Sequence, residues 1–431
     1  MRRRPWSTRR PAAVPRAATG PLPRMERETR MPMKILALTN LYPNPLQPHR
    51  APFNRHRLRF LSELHEIRLI APIAWRDEWT LRRRGGHPIA ADRRALSDGI
   101  PVEHPRYWYT PGVLRGMYGR FFLESVRRSF DRQVEEFAPD MVFATWAYPD
   151  GWAAVRLARR HGLPVVLQVH GSDVRRVDEY AARREGTRAA LSEADGVIAV
   201  SADLGRRVVE LGADPGRVQV VMDGVDRTIF GPGDRTAARQ ALGLAPDLRQ
   251  LLFIGNLVQV KGLDVLLQAC GALAAERSDW HLHLIGDGSE RGSLERQAQA
   301  CGLDGRVSFH GSRPHHELPR WLQAADLFVL PSRSEGVPNV LLEASACGTP
   351  WVASEVGGIP EIAGLGASTL VPPERADALA GAISRSLDAP PPRPAVGPRD
   401  RREAVAAISD FLERTCSRVR VARSLSRAAA I

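Results

Sequence analysis

The sequence predicts an α/β protein in which two doubly wound, Rossmann-like parallel sheets face each other across a cleft. Three observations predict it. Short apolar runs alternate with helical-period stretches from residue 34 almost to 388, and such alternation builds βαβ units and parallel sheets. Runs such as LLFI at 251–254 and LFVL at 327–330 are apolar on both faces, as strands covered by helices on both sides should be. Clusters of glycine and polar residues follow directly after strand runs, where open α/β sheets bind their ligands.

Taken in order, the first half offers strands at 35–38, 67–70, 141–144, 165–169, 197–200 and 218–221. The second offers them at 251–254, 281–285, 307–309, 327–330 and 351–353. Amphipathic stretches at 53–64, 264–276, 289–300 and 340–346 lie between these runs. The stretch 230–247 (FGPGDRTAARQALGLAPD) carries Gly and Pro and no strand run, so it is expected to link the two domains. The expected divisions are a basic, disordered extension at 1–32, a first Rossmann-like domain at 33–229, the linker at 230–247 and a second Rossmann-like domain at 248–388. A Pro/Arg-rich break follows at 389–431, with an amphipathic stretch at 402–424 that packs on either domain or stays loose.

The net charge of +13 invites a nucleic-acid reading. Its distribution argues against one. Residues 1–30 hold nine Arg and two Glu, residues 391–431 hold nine Arg and four acids, and the remainder is close to neutral. A nucleic-acid enzyme carries its charge on the folded surface that follows the phosphates. The first stretch also reads as an over-extended start, with Met31 or Met33 as the working one. No apolar run has the roughly 18–20 residues of a membrane span, and the Arg-rich start lacks the apolar core of a secretory signal. Cys270, Cys301, Cys347 and Cys416 show no paired spacing, as expected of reduced thiols in a cytoplasmic protein.

Chemistry concentrates in PSRSEGVPNVLLEASACGTP, residues 331–350. A strand runs into a loop, Pro338 suits the first turn of a helix over 338–347, and Gly348 stops it. Beside Gly336 and Pro338, unpaired N–H groups of roughly Val337, Asn339 and Val340 make a helix start that favours a diphosphate. Glu335 before it and Glu343 in its second turn accept hydrogen bonds from sugar and ribose hydroxyls. A diphosphate flanked by diols describes a nucleotide sugar. Gly255 opens the loop after strand 251–254, and Lys261 beyond it offers a cation to the leaving diphosphate. A Walker loop and an Asp-x-Asp metal pair are both absent from the sequence, so the expected transfer uses neither ATP nor a metal.

The run SEGVPNVLLEASACGTP resembles the signature of the retaining GT-B glycosyltransferases of family four. So do GGIPE at 357–361, LTNLYPNPLQPHRAPF near the start, HGSD at His170 and IGNLVQVKG around Gly255. The resemblance covers about residues 34–388. It implies that Glu335 lies against the transferred sugar, that Glu343 holds the ribose, and that His170 reaches the sugar from the first domain to position or polarise it. It places Gly286, Gly288 and Arg313 along the donor site, with the base meeting the backbone near 310–313. Asn256 stands where the family commonly has Arg, and Arg333 is the candidate replacement. The loop 48–53 has His49, Arg50 and Ala51 in place of a Gly-rich turn. Arg50, Phe53 and Arg55 are expected on the acceptor side. Residues 113–130, mixing Phe, Leu and Tyr with Arg, read as a half-buried helix or as an interfacial one on anionic lipid.

The expected activity is therefore retaining transfer of a hexosyl group from a UDP- or GDP-sugar, without a cofactor. The acceptor is a saccharide or lipid-linked, in exopolysaccharide or cell-envelope glycan synthesis, at the inner face of the membrane. A nucleotide-sugar epimerase of the same fold and a non-catalytic sugar-nucleotide-binding protein are the alternatives.

Overall fold

In the computed structural model, which describes residues 31–428 apart from 49, 84–88, 91, 393 and 395, the apolar runs pair into parallel sheets. The first half supplies β1 (Lys34–Leu38), β2 (Glu66–Ile70), β3 (Ile73–Ala74), β4 (Arg94–Ser97) and β5 (Ile100–Glu103). It continues with β6 (Arg106–Tyr107), β7 (Met141–Thr145), β8 (Val165–Val169), β9 (Gly196–Ala199) and β10 (Val218–Val220). Eight of these form one sheet in the order β10-β9-β8-β7-β1-β2-β5-β4, with β4 the antiparallel edge. β3 and β6 make a small ribbon beside it. The second half supplies β11 (Arg249–Ile254), β12 (Trp280–Ile285), β13 (Val307–Gly311), β14 (Leu327–Leu330), β15 (Trp351–Ser354) and β16 (Ser368–Val371). Their order is β13-β12-β11-β14-β15-β16, parallel throughout.

Both faces of the central strands are buried under apolar side chains. Leu36, Leu38, Val142 and Ala144 pack on one side of the first sheet, and Ile35, Ala37, Met141 and Phe143 on the other. Strand order reverses between β1 and β7 in the first sheet and between β11 and β14 in the second. Ligands bind at such switch points, beyond the carboxyl ends of the strands.

One expectation needs correction, and two open ones are decided. The stretch 230–247 is not a linker. Phe230 is buried in the second domain's core, and the helix Arg235–Leu242 follows, capped by Asp234 at Thr236 N and Ala237 N and ended by left-handed Gly243. Arg239 of that helix pairs with Asp326. The Gly and Pro signals were helix-cap chemistry, not a domain break.

Of the two courses expected for the C-terminal segment, packing on a domain is the one it takes. Val225 N donates to Arg399 O (3.0 Å) and Arg401 N to Val225 O (2.9 Å), so outgoing and returning chains run side by side. The helix Arg401–Ala428 then buries Val405, Ile408, Phe411 and Leu412 against Ile35, Phe143 and Ile198 of the first domain. Gly196 admits it, since a Cβ there would lie 2.9 Å from the Phe411 ring. The first domain is thus completed by the end of the chain.

Of the two readings of 113–130, the half-buried helix fits from residue 118 onward. The helix is Tyr118–Phe137, and it buries Phe122, Val126, Phe130 and Phe137. Its exposed apolar neighbours, Val113, Leu114 and Met117, precede it. Residues 1–30 and His49 lie outside the described residues.

Candidate functional site

The two strand ends at the second switch point touch. Gly262, left-handed at φ 65°, closes the loop after β11, and a Cβ there would lie 2.1 Å from Pro331 O after β14. Arg333 N donates to Val260 O (2.8 Å). This contact brings Lys261 to Glu335: Nζ donates to Oε1 at 2.6 Å, and Ser332 Oγ donates to the same oxygen at 2.7 Å. Glu335 Oε2 keeps its hydrogen-bonding capacity. An ammonium has three protons, so two of those on Lys261 remain for a ligand.

The helix beyond is Asn339–Cys347, ended by Gly348 at φ 81°. Pro338 is its N-cap rather than its first residue, and no side chain caps the start, so the first N–H groups stay available. Buried Glu343 accepts from His315 Nε2 at 3.1 Å. The His315 ring lies 4.7 Å from that of His56, on the helix Pro52–Leu61 of the first domain, and edge-on to Phe230 at 5.0 Å. Burial, with His315 and nearby arginines, holds His56 down to about 4.

The remaining donor-side residues divide. Gly286 and Gly288 allow the loops after β11 and β12 to touch: a Cβ would lie 1.9 Å from Gly255 O and 2.2 Å from Leu257 O. Gly255 N donates to Ile285 O at 2.9 Å. Asn256 and Arg313 are exposed. Arg333 does not replace the missing cation. Its guanidinium holds both oxygens of Asp264 (2.7 and 2.9 Å) and Glu374 (2.9 Å), a pairing fixed across the loop contact and invisible in sequence.

The first domain closes over this site. Asp173 Oδ1 accepts His170 N (3.1 Å) and Gly171 N (2.8 Å), and Oδ2 accepts Ala147 N (3.2 Å), fixing the turn after β8. The His170 ring stands 4.8 Å from Phe53 and 6.4 Å from Trp146. Its Nε2 faces Arg57 at 3.4 Å, and Arg57 is paired to Asp223 at 2.6 Å. Burial, then the Arg57 charge, pushes His170 down to about 3, so it is a neutral imidazole near pH 7 and suited to orienting a hydroxyl. Gly336 packs on the His170 carbonyl. At the rim, Glu361 accepts Ala202 N (2.7 Å) and Asp203 N (2.8 Å), capping the helix Ala202–Glu210 from the other domain. Of the acceptor-side residues, Phe53 reaches His170, whereas Arg55 is tied to Asp98 by two bonds (2.7 and 2.9 Å).

His56, Arg57, Asp223, His315 and the capping role of Glu361 were missed in the sequence. Their partners lie far along the chain, and only the HH pair at 315–316 after a strand hinted at one of them.

Two of these histidines, His56 and His170, together with His283 buried in β12, predict acid lability. His56, His170 and His283 are held near 4, 3 and 3 by burial, below their unfolded value, so between about pH 4.5 and 6 the unfolded chain binds the extra protons. Asp150, raised to about 7 by burial, works in the opposite sense. The lowered histidines outnumber the raised carboxyl, so stability should fall on acidification through this window. Denaturant unfolding at pH 7 and pH 5 checks it; equal stability at both would contradict the assignment.

Residues 234–403 match the family described as glycosyl transferases group 1, and residues 58–228 match glycosyltransferase family 4. The chain is 31% identical over 364 residues to TuaC of Bacillus subtilis (strain 168), a glycosyltransferase named for teichuronic acid biosynthesis, covering 82% of this chain and 89% of that protein. It is 37% identical over 271 residues to the D-inositol 3-phosphate glycosyltransferase of Mycobacterium bovis, covering 61% of this chain and 54% of that protein. The aligned part thus spans about half of that second relative. In fold it matches sucrose-phosphate synthase from Thermosynechococcus elongatus (TM-score 0.70, 22% identity, 92% of this chain and 100% of that one). It also matches HepE of Anabaena, solved with UDP and glucose (TM-score 0.64, 19% identity, 92% and 100%).

Proposed function

Because this chain belongs to the GT-B glycosyltransferases of group 1 and family 4, we propose that it moves a hexosyl group from a UDP- or GDP-sugar to a saccharide or lipid-linked acceptor with retention. One observation carries the reading: the uncapped helix start at 339 lies between Glu335, paired with Lys261, and Glu343, held by His315. The diphosphate sits on the helix start, where N–H groups and dipole meet its charge. Lys261 turns its free protons to the same phosphates and stabilises them as they leave. Those two positive elements let the reaction run without a metal, and EDTA should leave the rate unchanged. Glu335 Oε2 holds the transferred sugar, and Glu343 the ribose. A neutral His170 orients the sugar and takes no proton, which suits attack on the face the nucleotide leaves.

The setting proposed is exopolysaccharide or cell-envelope glycan synthesis at the inner face of the membrane. No helix among the described residues is long and apolar enough to cross one. Exposed Trp108, Val113, Leu114 and Met117 beside Arg115 and Arg120 support a peripheral contact.

A thermal-shift screen across UDP- and GDP-sugars tests the donor. A ligand at about 100 times its Kd should add roughly 2.7 kcal/mol of stability, and NMR of the product's anomeric proton reads retention. No shift with any nucleotide sugar would overturn the reading.

A further inference from the structure

A cavity of about 280 Å³ opens beside the carboxyl ends of β1 and β2, with Pro72 and Ile73 among its walls. Tyr107 and Tyr109 line it with Asn40, Asn44, Arg50 and Asp77. The tyrosine rings form a cluster: Tyr107 and Tyr109 are 5.2 Å apart, and Tyr118 meets Tyr109 edge-on at 5.4 Å. One buried polar atom of the lining lacks a partner among the described residues: Nε of Arg50, whose NH1 reaches Gln47 Oε1. Buried polar groups normally have partners, so it points to an occupant that supplies hydroxyls or ordered water.

We propose that this cavity is a subsite for one uncharged pyranose ring of the acceptor. The inference rests on the transfer reading above and names what the acceptor side recognises. A pyranose presents apolar C–H faces and a rim of hydroxyls. The tyrosines match the faces, and the amides, carboxylate and guanidinium match the rim. The charge argues against a phosphorylated ring. Arg50 and Asp77, the charged side chains that line the cavity, stand 3.9 Å apart and offset each other. Among the described residues no cation here is left over for a phosphate, which calls for charge-assisted or bidentate pairing. The subsite is also joined to the reacting centre. The segment that brings Asn40, Asn44 and Arg50 to the cavity continues into the helix Pro52–Leu61, whose Phe53 lies on His170. The turn after β7 reaches both places, through Asp150 to Asn40 and through Ala147 to Asp173.

The test is saturation-transfer NMR with UDP present. The probes are methyl α-D-glucopyranoside, methyl β-D-galactopyranoside and glucose 6-phosphate. At least one neutral glycoside should bind more tightly than glucose 6-phosphate. Tyr109→Ala should weaken that binding about tenfold while the Kd for UDP holds, and Tyr109→Phe should restore it. Asp77→Asn, which releases Arg50, should raise glucose 6-phosphate binding; this arm stands even if Tyr109→Ala does not fold. Tighter binding of glucose 6-phosphate to the wild type overturns the proposal, and so does neutral-glycoside binding unchanged in a folded Tyr109→Ala. Failure of UDP itself to bind would strike the donor reading instead, because UDP is measured in the same samples.

Discussion

Lys261→Ala is expected to lower kcat/KM for transfer by about 10²–10³-fold, the loss seen when one stabiliser of transition-state charge is removed. The lysine is placed by contact between two strand-end loops, not by its own helix. Gly262 lets the loop after β11 touch Pro331, and Nζ lands 2.6 Å from Glu335. Removing the amine takes a cation from the leaving diphosphate. It also leaves Glu335 with only the Ser332 hydroxyl as donor, so its carboxylate is less well held for the sugar. The two effects share one contact, and a cycle with Glu335→Gln should therefore be non-additive. The double variant should fall short of the product of the single losses, with a coupling on the order of 1 kcal/mol or more. Lys261→Arg should rescue poorly, because a planar fork does not present a compact point charge at the same place. A Lys261→Ala enzyme within threefold of wild type would remove Lys261 from the chemistry.

Much of this was legible because buried parallel strands are apolar on both faces. LFVL and LLFI announce β14 and β11, and glycine and polar clusters after them announce the site. What was illegible lay at sheet edges and across long separations. β4 (RALS) is largely exposed and β16 (STLV) half-buried, so neither carries an apolar run. The pairing of Lys261 with Glu335 depends on β11 and β14 being neighbours, a strand order that periodicity does not encode. Arg333 looked available because Asp264 and Glu374 are distant in sequence yet adjacent in space. The stretch 230–247 misled for a local reason: Gly and Pro punctuate helix ends as well as linkers. The neutrality of His170 needed the burial and the Arg57 neighbour that only the fold supplies.

Gly336→Ala should abolish most transfer, by about 10²-fold in kcat, at some cost in thermal stability but with UDP affinity near wild type. A Cβ at Gly336 would stand 2.0 Å from the His170 carbonyl oxygen, well inside contact distance, and neither side can yield easily. The carbonyl belongs to a turn whose amides are fixed by Asp173. Gly336 O is in turn held by Gly358 N at 2.8 Å. The strain is relieved by parting the two domains by roughly an ångström, and a misplacement of that size costs about 10²-fold in rate. The groups proposed to hold the nucleotide, Lys261, Glu343 and the helix start at 339, all lie on the second domain and keep their geometry. What moves is His170, away from the sugar. Glu361 resists the opening at the rim through its two bonds to Ala202 and Asp203, so Glu361→Ala added to Gly336→Ala should deepen the loss. Gly364→Ala, where a Cβ meets nothing within 4 Å, is the matched control and should be silent. If Gly336→Ala retained wild-type kcat, the His170–Gly336 contact would have no part in assembling the reacting state. If it lost UDP binding together with activity, the defect would lie in the donor loop and not in domain closure.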